Sequence, residues 1–220
     1  MIVEPWANSE FFSTDGLRVL VPGESSFRSN EDGPCGIRGT TIPHHWNRHI
    51  IESFLDKKND LKMGNDRTIK GAMDVFYDSR PVSREEHRKF WKHTAFANFV
   101  QMDMERPGNR PTKQEWSSGQ APFWHYLDQL KPQFVLSVGF GLWDNLPVEN
   151  RREYKTPCPS PNGVRSPRPC LLYSTEHGDV LVCGIRHTCR FFSHSVWRPW
   201  VAAAITEATR LHGLGQKKQK

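Results

Sequence analysis

A chain of 220 residues that is 36% apolar, with eight tryptophans and thirteen phenylalanines, holds enough bulky apolar material for one continuous core. That excludes a disordered chain and one needing metals or disulfides to hold together. The net charge of +6 and a pI near 9.2 favour polyanionic partners without selecting one.

Cys35, Cys158, Cys170, Cys183 and Cys189 form no C-x-x-C pair, which argues against a zinc ribbon or a disulfide framework. Reduced thiols in a cytoplasmic protein are expected. The opening Met1-Ile2-Val3-Glu4-Pro5-Trp6 lacks the pattern of a secretion signal, and no apolar run is long enough to span a membrane. One domain over residues 1–212 is expected, followed by a basic tail over 213–220.

Leu17 to Pro22 is short, rich in valine and stopped by Pro-Gly, which predicts a buried strand. Trp46, Ile50 and Phe54 recur at helical spacing and predict an amphipathic helix. Ser83 followed by Glu86 has capping-box spacing and opens a helix through about Lys92. The apolar run Ala95 to Met102 predicts a second strand.

Thr112 and Glu115 repeat the capping-box spacing, and Gly119 and Pro122 split the following helical segment into two short helices. Lys131-Pro132 ends it, and Phe134 to Val138 predicts a strand leaving through Gly139 and Gly141 toward a short helix at Leu142 to Leu146. Arg151 to Pro169, rich in Pro, Arg and Ser, predicts an exposed excursion. Leu171 to Ser174 and Val180 to Gly184 predict a hairpin, and Pro199 onward a final helix with proline near its first turn.

Strands alternating with helices imply an α/β three-layer sandwich, with a central, mainly parallel sheet of about four strands and helices on both faces. In such a sheet functional loops lie at the carboxyl ends of strands, here after Val21, Val100 and Cys183.

The first of these loops reads Pro22-Gly23-Glu24-Ser25-Ser26-Phe27. A serine nucleophile elbow needs glycine two places after Ser25, where Phe27 stands, and a phosphate loop needs a Gly-Lys-Ser/Thr that does not follow. In the second, Asn98 lies inside an apolar run, where an unpaired carboxamide costs on the order of 1–3 kcal/mol. It therefore has a partner: either neighbouring backbone, or the edge of a base or other amide-bearing ligand. In the third, His187 leaves a strand between Arg186 and Arg190, a placement suited to an anionic substrate, though a lone histidine also serves structural roles. Phe191-Phe192 is either core packing or a wedge entering a base stack.

Gly23-Glu24-Ser25-Ser26-Phe27, Asn98, the turn Arg106-Pro107-Gly108-Asn109-Arg110-Pro111-Thr112, the strand "KPQFVLSVGFG" and Gly184-Ile185-Arg186-His187 occur in an order that resembles the uracil-DNA glycosylase superfamily. The pattern is most similar to the branch whose first motif reads Gly-Glu-Ala-Pro-Gly, and it extends over roughly Leu17 to Ala203. Ser25-Ser26-Phe27 stands where that branch has Ala-Pro-Gly, and His187-Thr188-Cys189 where the superfamily usually has His-Pro-Ser. The branch's four iron–sulfur cysteines are not reproduced in spacing, so no cofactor is expected.

The resemblance implies hydrolysis of the N-glycosidic bond of a uracil or modified base in DNA, single- or double-stranded; a monomer is expected. The base leaves the stack at a cost of a few kcal/mol, on the order of what pocket contacts return. Asn98 would bond its Watson–Crick edge within a pocket that includes Gly23 and Phe27. His187 would stabilise the departing base, and Glu24 and Ser25 would position water. Glu24 is the expected carboxylate, since a serine is no strong base at neutral pH. Arg186, Arg190 and Phe191 would contact DNA. The altered motifs also fit a non-catalytic or differently specific nucleic-acid-binding protein on the same fold.

Overall fold

A computed structural model of the chain describes residues 2–26, 29–30, 33–34, 39–56, 64–77, 83–104, 109–155, 161, 163–164, 167–188 and 192–214. A short 3-10 turn at Ser9–Phe11 precedes β1 (Val19–Gly23) and the two-residue strands β2 (Ser29–Asn30) and β3 (Gly33–Pro34). Three helices follow, α1 (Trp46–Asp56), α2 (Gly64–Asp74) and α3 (Arg84–Lys92), then β4 (Thr94–Asn98), α4 (Lys113–Ser118), α5 (Gln120–Leu130) and β5 (Phe134–Val138). The chain continues through α6 (Phe140–Asp144), β6 (Arg151–Tyr154), β7 (Cys170–Thr175), β8 (Gly178–Ile185) and α7 (His194–Leu211).

The main sheet has six strands in the order β4-β1-β5-β8-β7-β6. The four strands from β4 to β8 are parallel, while β7 and β6 are antiparallel additions at one edge. The expected sheet of about four strands is therefore corrected to a mixed sheet of six. The missed strand, β6, lies in the segment read as an exposed excursion. Its Arg-Arg-Glu-Tyr sequence is half-exposed on an edge and carries no apolar alternation to reveal it.

β1, β4 and β5 are buried along their whole length, because parallel strands are covered on both faces. Alternate residues supply two cores. Val19, Val21, Leu136 and Val138 pack with α1, α2, α3 and α7, and Leu20, Val135 and Val182 pack with α4, α5 and α6. This is the three-layer α/β arrangement.

Both capping boxes are present, at Ser83 with Glu86 and at Thr112 with Glu115. The helical segment after Thr112 breaks at Gly119, where a Cβ would stand 2.3 Å from Phe99 Cδ1. Close approach to the sheet thus demands glycine there, whereas Pro122 is accommodated within the first turn of α5. The final helix begins at His194, five residues before Pro199, so that proline lies in the helix interior and not in its first turn. The side chains of Cys170 and Cys183 are buried. No helix among the described residues is long and apolar enough to cross a membrane.

Candidate functional site

The parallel strands end nearly flush. Gly23 of β1 is in register with Asn98 of β4, and Val138 of β5 with Ile185 of β8. Chain order runs from β1 outward to β4 and then back across β1 to β5, so the topological switch point lies between β1 and β5. Their pairing covers only Val19 with Phe134 and Leu20 with Val135. Outside the carboxyl ends of the strands at such a point is the crevice where ligands of open α/β sheets bind.

Glu24 stands at this crevice with its backbone held. Its carbonyl accepts from Val100 N–H at 3.0 Å, and the carbonyl of Gly23 accepts from Phe99 N–H at 2.9 Å. Across the crevice, Gly139 has φ +116°, and a Cβ there would stand 3.5 Å from Glu24 Oε2 and 3.5 Å from His187 Cδ2. A Cβ at Gly141 would stand 3.4 Å from the same Glu24 oxygen and 3.0 Å from Arg110 Nη1. The two glycines therefore form a floor bare of side chains over which Glu24, His187 and Arg110 converge. Burial raises the Glu24 carboxyl above its ordinary value of 4.5, and the charges of His187 and then Arg110 pull it partly back. A carboxyl held between desolvation and the opposing pull of His187 and Arg110 suits proton transfer or the orientation of water.

Asn98 is buried, and its expected partner is a side chain rather than adjacent backbone. Its backbone N–H and its Nδ2 both donate to Asn47 Oδ1, at 3.2 and 3.1 Å. Its own Oδ1 faces Gly23, where a Cβ would come within 2.8 Å. Ser26, buried next to Ser25, accepts from Trp46 Nε1 at 2.5 Å and anchors α1 beside the loop. The His187 loop rests on α2. A Cβ at Gly71 would stand 2.5 Å from Thr188 Cβ, and Thr188 Oγ1 donates to the Thr68 carbonyl at 3.3 Å.

Of the residues singled out from sequence, Gly23, Glu24, Asn98 and His187 lie at one end of the sheet. Ser25 is half-buried beside them, and Arg186 is exposed at the exit of β8. Phe27, Arg190 and Phe191 lie outside the described residues. Sequence reasoning missed Arg110, Gly139, Gly141 and Asn47 as parts of the site. Gly-Phe-Gly after a strand signals close backbone approach. Asn47 shares the α1 face of Ile50, Ile51 and Phe54, a polar residue in an apolar stripe. Among the described residues no group of three or more His, Cys, Asp or Glu side chains could hold a metal ion. No protein-family model matches the chain, and a search of the curated proteins gives no match.

Proposed function

We propose that the protein is a DNA N-glycosylase that hydrolyses the bond between deoxyribose and a flipped-out uracil or modified base. The observation that carries this reading is the approach of Glu24 and His187 across Gly139, at the switch-point crevice where Asn98 is the register partner of Gly23.

The ionised Glu24 orients a water and takes its proton as the oxygen bonds to C1′ of the sugar. The bond from C1′ to the base nitrogen breaks, and its electron pair leaves with the base. His187 hydrogen-bonds the base as negative charge develops on it, and the departed base takes a proton from solvent while Glu24 later returns its own. An electrostatic donor of this kind is worth on the order of 10²–10³ in rate. Asn98 bonds the edge of the extruded base, and Arg110, facing Glu24, favours its ionised form. Arg186 contacts phosphate, so binding weakens steeply as salt rises.

The test uses single- and double-stranded oligonucleotides carrying uracil, hypoxanthine or modified pyrimidines, with alkaline cleavage revealing abasic sites. Cleavage by the wild type, lost in Glu24→Gln, Asn98→Ala and His187→Ala while each variant remains folded at the assay temperature, is the expected result. Absence of product from every base overturns the proposal, and retained binding in that case points to a non-catalytic nucleic-acid-binding protein.

A further inference from the structure

Asn98 ends a chain of buried hydrogen bonds whose polarity is set by the backbone. The Glu4 carbonyl can only accept, and it takes Asn47 Nδ2–H at 2.7 Å. Asn47 must therefore turn Oδ1 the other way, toward Asn98, whose backbone N–H can only donate and does so at 3.2 Å. With an acceptor facing it, the Asn98 carboxamide can present only its Nδ2–H on that side, at 3.1 Å. A second branch agrees. The Tyr126 hydroxyl donates to the Val3 carbonyl at 2.7 Å, and Gln101 Oε1 accepts from Val3 N–H at 2.9 Å while Gln101 Nε2 donates to Tyr126. Burial raises the Tyr126 phenol well above its ordinary value, with Asn47 and Gln101 bonding its oxygen, so it remains a donor.

We infer that Asn47 is a positioning residue that locks the orientation of the Asn98 carboxamide and so fixes which pyrimidine edge the crevice accepts. The inference rests on the glycosylase reading. Uracil presents a donor at N3 and an acceptor at O4. Cytosine presents an acceptor at N3 and a donor at N4, the same pattern in reverse. A carboxamide free to rotate by half a turn serves either base. One held by Asn47 keeps Oδ1 and its remaining Nδ2–H in a single order and serves one.

Two variants separate orientation from mere support. Asn47→Ala removes the acceptor facing Asn98, whereas Asn47→Asp retains that acceptor and loses the Nδ2 donor toward the Glu4 carbonyl and the Tyr126 oxygen. The experiment compares wild type and both variants in two readouts. One is hydrogen exchange of the Asn98 side-chain amide in the free protein. The other is the ratio of kcat/KM for oligonucleotides with uracil or cytosine at one position. If the wild type excises neither base, the glycosylase reading fails on its own, and the ratio is read as equilibrium binding of the same oligonucleotides.

The expected result is slow exchange and an unchanged ratio in Asn47→Asp, with exchange faster and the ratio reduced about tenfold or more in Asn47→Ala. Equal exchange in all three proteins overturns the lock. Altered exchange with an unaltered ratio overturns the role in specificity, as does a ratio lost equally in both variants.

Discussion

Gly23 and Asn98 are register partners at the ends of β1 and β4, and the space where a Cβ of residue 23 would lie is bounded by Asn98 Oδ1 at 2.8 Å and by the Phe96 ring at 3.3 Å. The Asn98 amide cannot retreat without breaking its bonds to Asn47. Gly23→Ala is therefore expected to cost about 1–3 kcal/mol, the range for overpacking a filled site. Base excision should fall in the same variant. Denaturant unfolding and an excision assay check both, and unchanged activity would show that Asn98 is not confined from this side.

Glu24 makes the candidate site sensitive to pH in two opposite ways. Because burial raises its carboxyl, the folded chain binds more protons than the unfolded chain between 4.5 and the raised value. Stability contributed by Glu24 therefore declines as pH rises through that window. Catalysis needs the carboxylate and should rise with pH, with its midpoint above 4.5. Melting curves of wild type and Glu24→Gln should diverge across this range, the variant gaining relative to wild type at the upper end. Parallel curves would sink the prediction.

Gly139 holds a backbone angle that side-chain-bearing residues rarely adopt, at the point where Glu24 and His187 approach each other. Gly139→Ala is expected to lower stability by ~1–3 kcal/mol through backbone strain. Its methyl would also occupy the floor between the two side chains, so excision should drop even at temperatures where the variant is fully folded. Thermal melting and single-turnover kinetics at low temperature separate the two effects.

Far from the crevice, Glu207 accepts from Arg210 Nη2 at 2.7 Å and Nε at 3.0 Å, and from the Tyr154 hydroxyl at 2.5 Å. Arg210 first, and then Tyr154, hold its carboxyl down at about 2. The stabilisation is present above 4.5 and is lost as pH falls from there toward about 2. Glu207→Gln should cost about 1 kcal/mol at neutral pH, since Arg210 is largely exposed. The difference should shrink on acidification, as acid-unfolding curves would reveal.

Residues whose role depends on local pattern were legible in the sequence. Phe134 to Val138 reads as a strand from its apolar run, and Ser83 and Thr112 as helix caps from their spacing. The first strand and its loop announced Glu24, and the run around Asn98 announced a buried partner without naming Asn47. That identity depends on α1 crossing β4, a relationship between residues 51 positions apart. α2, Gly-Asn-Asp-Arg-Thr-Ile-Lys-Gly-Ala-Met-Asp, was not foreseen, because its apolar positions Ile69, Ala72 and Met73 are confined to its second half and its first turn is polar. That short stripe packs in the core, and Gly71 lets the helix approach Thr188. Arg110 was visible in its turn, but its approach to Glu24 depends on Gly141 lacking a side chain.

The segment through Trp6 also governs how the protein behaves at high concentration. Trp6 exchanges both backbone hydrogen bonds with Phe96, at 2.8 and 2.9 Å, covering the outer edge of β4. At the opposite edge, β6 carries Arg151, Arg152 and Glu153, charges that discourage pairing with another chain. β4 reads Thr-Ala-Phe-Ala-Asn and has no such protection of its own. Peeling the first residues away would bare an uncharged strand edge able to template intermolecular sheets. Proteolytic trimming at that end should therefore be followed by aggregation rather than by a smaller soluble protein.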